Sequence, residues 1–222
     1  MKLPFVGMDE YDRHARLKPA LVAFLPVTLT VLALAIQAGG SYLLAQVIGD
    51  IGKKKETELF TKFGGRPTDL LLSHKTAPNK TILAMRHAKL AGLMNRKLPT
   101  AAAEEKNPTA AADIYAGCVD FLRGKCRGNA AVFRENKGYG FRRNLWGIKK
   151  AGLVVCVVAV VVIAAEIYGL ASAHEPINNA VWFIGGLNLL MLASWIFFIT
   201  PTWVMRAAQL YADRLMEALD AM

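Results

Sequence analysis

Cysteine is scarce in this chain of 222 residues: only Cys118, Cys126 and Cys156 occur. The number is odd and no two stand in C-x-x-C spacing, so neither a disulfide framework nor a zinc ribbon is encoded. His74 and His87 add two further metal-binding side chains, but the spacing of His74, His87, Cys118 and Cys126 matches no zinc module. Apolar and polar residues nowhere alternate for long, which argues against any sheet. Phosphate-cradling glycine loops are missing as well. Gly64-Gly65 and Gly138-Tyr139-Gly140 belong to neither G-x-x-x-x-G-K-[ST] nor G-x-G-x-x-G. No H-E-x-x-H, Ser/His/Asp or paired-carboxylate arrangement stands out. The expectation is a helical, non-enzymatic protein with no cofactor and no catalytic or metal-ligating residue.

Charge is missing over long stretches too. Residues 151–165, AGLVVCVVAVVVIAA, hold none, and after the polar patch SAHEPINN at 172–179 a second apolar run, AVWFIGGLNLLMLASWIFFIT, fills 180–200. Each run is about 20 residues, enough for the ~30 Å of a bilayer's hydrocarbon core. Together they predict a transmembrane hairpin at 151–200. Residues 19–49 are apolar apart from Thr28, Thr30, Gln37, Ser41 and Gln46. One helix of that length measures ~46 Å, more than a single crossing needs, whereas two crossings need about 40 residues. A single long span, tilted or kinked at Pro26, is preferred. A re-entrant hairpin turning at Gly39-Gly40 stays open, and with it the side on which the N-terminus lies. The mixture of Asp9, Glu10 and Asp12 with Lys2, Arg13, Arg16 and Lys18 in residues 1–18 does not make a secretory signal.

What the chain has in plenty is positive charge, and it is concentrated. Residues 50–150 carry 21 of the 27 lysines and arginines against 9 of the 17 acids, a net charge of +12 that leaves −2 for the remainder. Lysine and arginine beside membrane spans stay on the cytoplasmic side. The segment 51–150 is therefore expected to be a cytosolic domain, anchored at the inner leaflet by Lys53, Lys54 and Lys55, with 172–179 outside. In it, Gly64-Gly65 and Pro67 read as a turn with Thr68 as a helix cap. Residues 80–94 read as an amphipathic helix with Ile82, Met85, Leu90 and Leu93 on its apolar side, and 98–109 as a link. Asn107 and Pro108 start the next helix, which turns Ile114, Cys118, Phe121, Leu122 and Cys126 toward a small core. The segment 131–150 interleaves Phe133, Tyr139, Phe141 and Trp146 with Arg134, Lys137, Arg142, Arg143, Lys149 and Lys150, the mixture a membrane–water interface selects. After Thr200 and Pro201, an amphipathic helix gathers Trp203, Ala207, Leu210, Tyr211, Leu215 and Leu219 on one face, to lie in the interface or pack on the middle domain. Anionic lipid headgroups are the expected partner of the basic domain; an anionic ligand or a cytosolic protein are the others.

Within the apolar runs the polar and small residues are few. Glu166 lies ~24 Å along a helix from Lys150, so it reaches the outer headgroups, and proton or ion handling is the sharper alternative. Asn188 and Ser194 suit hydrogen bonds between helices. Gly39, Gly40, Gly169, Gly185 and Gly186 offer flat faces for close helix packing within the chain or between copies.

The stretches YDRHARLKPAL at 11–21, GGRPTDLLL at 64–72, ENKGYGFRRNLWGIK at 135–149 and TPTWV at 200–204 resemble a family of small bacterial multi-span membrane proteins. That family brings no catalytic residues, and its relatives have two N-terminal spans where this chain has room for one. A small helical cytosolic domain on a few spans is also similar in architecture to the membrane effectors of antiphage defence. The expectation is an all-α integral protein of the bacterial inner membrane with about three transmembrane helices. Its parts are segment 1–18, a span at 19–50, the basic domain 51–150, the hairpin 151–200 and the amphipathic helix 201–222. Its function is expected to be that of a homo-oligomeric, membrane-permeabilising effector gated by the cytosolic domain; the alternative is a scaffold or sensor that anchors a cytosolic partner.

Overall fold

A computed structural model describes the backbone of residues 8–222, and the side chains from Thr30 onward other than those of Leu32 and Ala38. Among the described residues the chain forms nine helices and no strand. The helices are α1 (Met8–Lys62), α2 (Pro67–Leu70), α3 (Lys80–Met94), α4 (Ala101–Lys106), α5 (Pro108–Lys125), α6 (Ala130–Gly147), α7 (Lys149–Ser172), α8 (Asn179–Phe197) and α9 (Pro201–Asp220). The chain divides into two units, one up to Val47 and one from Ile48 to Met222.

In the first unit, α1 runs through residues 19–49 as one helix, without a re-entrant turn at Gly39-Gly40. A Cβ added to either glycine would meet nothing among the described residues. Val31, Leu34, Ile36, Tyr42, Leu43 and Leu44 are all exposed. The expected effect of Pro26, and residues 1–7, lie outside the described side chains and residues.

In the second unit, α9 sits at the centre of the core. Its sequence carries an apolar stripe at helical spacing, and Val204, Met205, Ala208, Tyr211, Ala212, Leu215, Met216 and Leu219 are buried. They pack with Tyr115, Cys118, Val119 and Leu122 of α5, Leu59 of α1, Leu90 of α3, and Val132 and Tyr139 of α6. The C-terminal helix therefore packs on the middle domain, and Leu210, expected on its apolar face, points to solvent. Helix starts are fixed by side chains that accept otherwise unpaired N–H groups: Asn79, Thr100, Asn107, Asn129, Asn178 and Thr200. Proline opens α2, α5 and α9, where its missing N–H costs nothing.

Three local expectations are corrected. Thr68 lies within α2 rather than capping it; its hydroxyl donates to Asp69 Oδ1 at 3.1 Å. The supposed link 98–109 contains α4, because Thr100 caps a run of alanine and glutamate, both good helix formers. The buried face of α3 is Leu83, His87 and Leu90, at positions i, i+4 and i+7, while Ile82, Met85 and Leu93 are exposed. The polar His87 on the true face hid it from a hydrophobic pattern.

Among the described residues, two helices, α7 and α8, are long and apolar enough to cross a membrane, and almost none of their residues is fully buried. They pack against each other. The turn between them opens with His174 in the left-handed region (φ 56°). Glu175 N–H then donates to Leu170 O at 2.9 Å and His174 N–H to Ala171 O at 3.2 Å, which closes off the last carbonyls of α7. At the other end the Lys149 ammonium donates to the carbonyls of Ile196 and Ile199, at 3.1 and 2.9 Å. That places a cation where α8 leaves its own carbonyls unpaired.

Candidate functional site: a basic cleft

Two glycines bring α1 and α6 together. A Cβ on Gly147 would lie 3.0 Å from the Cα and N of Gly52, and one on Gly52 would lie 3.0 Å from the Cα of Asn144. The helices thus touch backbone to backbone, an approach that a side chain at either position would push apart. Beyond this contact, residues of both helices, with others of α5 and α9, line a cleft of about 620 Å³.

Glu56 projects from α1 toward α6 at the mouth of the cleft. It accepts a hydrogen bond from Tyr139 Oη (2.6 Å, to Oε1) and an ion pair from Arg143 Nη1 (3.1 Å, to Oε2). Burial, and then the Glu56 carboxylate, push the Tyr139 phenol well above its ordinary range, so it stays a donor. Arg143 spends its other donors on Asn144 Oδ1. On the far wall Arg123 donates from Nε to Tyr211 Oη at 3.1 Å and its Nη1 stands 3.4 Å from Asp120. Lys53, loosely paired to Asp50 at 3.8 Å, stands at the rim with Arg127, Asn136 and the exposed ring of Phe133. Arg127 has no ion-pair or hydrogen-bond partner among the described residues. Burial pushes the Cys126 thiol up, so this wall residue offers no thiolate. Four cations therefore face one carboxylate that is already engaged. Such a cleft attracts anions; it does not pair a nucleophile with a base.

A second polar cluster lies across the core. The Glu104 carboxylate is buried and accepts from Ser73 Oγ (2.5 Å), Tyr115 Oη (2.8 Å) and the His74 N–H (2.7 Å). Burial alone would raise its pKa, but these donors outweigh it and hold the group below the usual carboxylate value. His74 and His87 meet edge to face at 4.8 Å. Each uses Nε2 on a carbonyl, Pro99 O at 3.0 Å and Leu72 O at 2.7 Å. Cys118 and Cys126 are buried in the apolar core. Among the described residues, no three His, Cys, Asp or Glu side chains gather as a metal site.

The residues singled out as interface contacts fall in several places. Lys53 lines the cleft, and Lys54 and Lys150 are exposed. The Lys55 ammonium stands 5.1 Å over the Trp146 ring. Arg142 lies 4.9 Å over Trp203 and donates to its carbonyl at 3.3 Å, which ties α6 to α9. In the hairpin, Asn188 Nδ2 donates across to Cys156 O at 3.1 Å, whereas Ser194 bonds back to Leu190 O in its own helix. Glu166 is exposed on α7. Gly185 faces Ile163 of α7, while Gly169 and Gly186 face open space.

Sequence reasoning missed Glu56, Arg123 and Arg127 as a group, and the glycines of the tightest approaches, Gly52, Gly147 and Gly152. The available signal was an isolated glycine inside a helical run with no turn residues beside it, which usually has a packing reason. No family model, curated protein or solved structure matches this chain.

Proposed function

We propose that this is a non-enzymatic, multi-pass protein of the bacterial inner membrane, an oligomerising effector of the antiphage type that permeabilises the membrane when its cytosolic domain is triggered. The observation that carries the reading is how α7 and α8 join the helical domain. α6 passes to α7 through Ile148 alone, and α8 passes to α9, the centre of the core, through residues 198–200. Neither joint has a flexible linker, so a rearrangement of the domain reaches the hairpin. The uncovered apolar surface of α7 and α8 suits lipid rather than water. The net charge of +12 in residues 50–150 favours a cytosolic domain held at anionic headgroups.

Two hairpin helices and one further span cannot enclose a water-filled path and keep every backbone group satisfied, so conduction requires several copies. Gly169 and Gly186, with nothing opposite them, are the small-residue faces free for such contacts. A membrane-potential dye in expressing cells is the test, with insertion checked by fractionation. Strong expression should depolarise cells, and Gly186→Leu should suppress this while still inserting. Cells that hold their potential with the chain inserted and the triggering partner present defeat the effector reading. The scaffold or sensor reading, favoured by the open cleft beside the membrane joint, then takes its place.

A further inference from the structure

We propose that the cleft between α1, α5, α6 and α9 binds a phosphate group, carried either by a soluble phosphate compound or by a lipid headgroup at the inner leaflet. Three observations carry this. First, cations outnumber acids on its walls, and although Lys53, Arg123 and Arg143 each pair with a carboxylate, Arg127 pairs with none among the described residues. Lys53, Arg123, Arg127 and Arg143 face it, and Glu56, the one acid among its lining residues, is held by Tyr139 and Arg143. Second, the donors are free in the right place. Arg127 has no partner among the described residues, and Nη2 of Arg123 has none beyond the bonds its Nε and Nη1 make to Tyr211 and Asp120. Guanidinium forks match phosphate oxygens and form the stronger, charge-assisted class of hydrogen bond. Third, the size fits. A volume of about 620 Å³ is too large for a bare phosphate and lies within the range of small-molecule sites. The exposed Phe133 ring at the rim supplies an apolar surface for whatever the phosphate is attached to.

The two sources share this chemistry and differ in where the phosphate comes from. Arg143 lies six positions before Lys149, the first residue of α7, with Ile148 as the joint between the two helices. A headgroup of the leaflet that surrounds the start of α7 would be within reach, and so would a soluble anion from the cytosolic side. Either ligand would lie between residues of α1 and α6, close in sequence to the joint with the hairpin.

The experiment uses the full chain in detergent micelles. Inorganic pyrophosphate is titrated calorimetrically, and lipid retention is read by native mass spectrometry after exposure to equal phosphatidic acid and phosphatidylcholine. Arg127→Gln removes a side chain with no structural partner; the exposed Lys106→Gln on α4 removes the same charge elsewhere. Thermal midpoints confirm that both variants fold. Arg127→Gln should weaken pyrophosphate binding or phosphatidic acid retention about tenfold, the loss expected for one charge-assisted contact, and Lys106→Gln should change neither. Pyrophosphate binding without selective lipid retention assigns the soluble source; selective retention without pyrophosphate binding assigns the headgroup. No binding in either arm, or equal loss in the two variants, overturns the proposal. The titration does not depend on permeabilisation, so cells that keep their potential leave this result standing.

Discussion

Replacing Gly152 by alanine probes how the α7–α8 hairpin is held. A Cβ at that position would sit 2.5 Å from Cζ2 and 2.8 Å from Cδ2 of Trp195, where carbon atoms keep about 3.5–4.0 Å. The indole is rigid, so either the whole ring turns out or α8 backs away by about 1 Å. Overpacking of this kind costs about 1–3 kcal/mol. Alanine is itself the better helix former by about 1 kcal/mol, and the two effects oppose each other. The expected net loss is about 1 kcal/mol, roughly a fivefold rise in the opened hairpin. With Trp195 cut to alanine the clash is gone and only the propensity remains, so Gly152→Ala should then stabilise by about 1 kcal/mol. Cys156, buried about one turn further along α7, supplies the readout. Its labelling rate by a thiol reagent, located by mass spectrometry in the detergent-solubilised chain, follows the opened population. Labelling should be about fivefold faster in Gly152→Ala, and about fivefold slower in the double variant than in Trp195→Ala alone. Slower labelling in both backgrounds would refute the close approach.

The remaining expectations concern topology, Glu166 and acid. In intact cells lacking the native cysteines, a cysteine at Ala173 should react with an impermeant reagent and one at Ala103 or Ala221 should not; the reverse pattern inverts the orientation. Glu166→Gln should leave membrane insertion and any membrane phenotype nearly unchanged, since the side chain is exposed near the far end of α7; loss of phenotype at normal expression would make it a functional group. Acid should loosen the helical domain in two stages. Burial holds the His87 imidazole below its ordinary 6.5, and the Glu104 carboxyl, raised by burial but lowered further by its donors, ends below 4.5. In both cases the unfolded chain takes up the proton first, so the stability is fully present above those values and is lost as pH falls below them. The thermal midpoint should drop below pH 6.5 and again below 4.5, and His87→Gln should remove only the upper drop. A midpoint flat from pH 7 to 5 in the unmodified chain would contradict it.

The elements that could be read from the sequence are those whose ends carry their own signals. Asn107-Pro108 and Thr200-Pro201 mark the starts of α5 and α9, and the absence of charge marks α7 and α8. The role of α9 could not be read, because an amphipathic helix fits a membrane interface as well as a core. What decides is the facing element, and α6 has no apolar stripe to announce itself: within it only Val132 and Tyr139 are buried. Some of the arginine and aromatic residues that suggest an interface by composition also join helices, as Arg142 does with Trp203 and Arg143 with Glu56. The cleft was illegible for a different reason. Glu56 and Arg143 stand 87 positions apart, and no local pattern relates them. Only the approach of Gly52 to Gly147 puts both at one opening.

If the chain permeabilises the membrane as proposed, its assembly must stay closed until triggered, and that sets what a trigger has to supply. Moving an equilibrium from about 1:99 to 99:1 demands a ligand that prefers the open arrangement by about 10⁴-fold. A single phosphate in one cleft would have to find that whole preference in the few bonds that differ between the two arrangements. Copies that switch together multiply their preferences, so about tenfold per copy over four copies reaches the same total. Tenfold is the scale of one charge-assisted hydrogen bond made or broken. Arg143 offers such a difference, since it is bound to Glu56 across the α1–α6 junction and a phosphate in the cleft competes for it. Multiplication works only if each domain carries its own hairpin with it. Lys149 on the last carbonyls of α8 and Arg142 on Trp203 hold both joints closed, so the same bonds that make the hairpin stiff would let small differences at separate clefts add up in one membrane assembly.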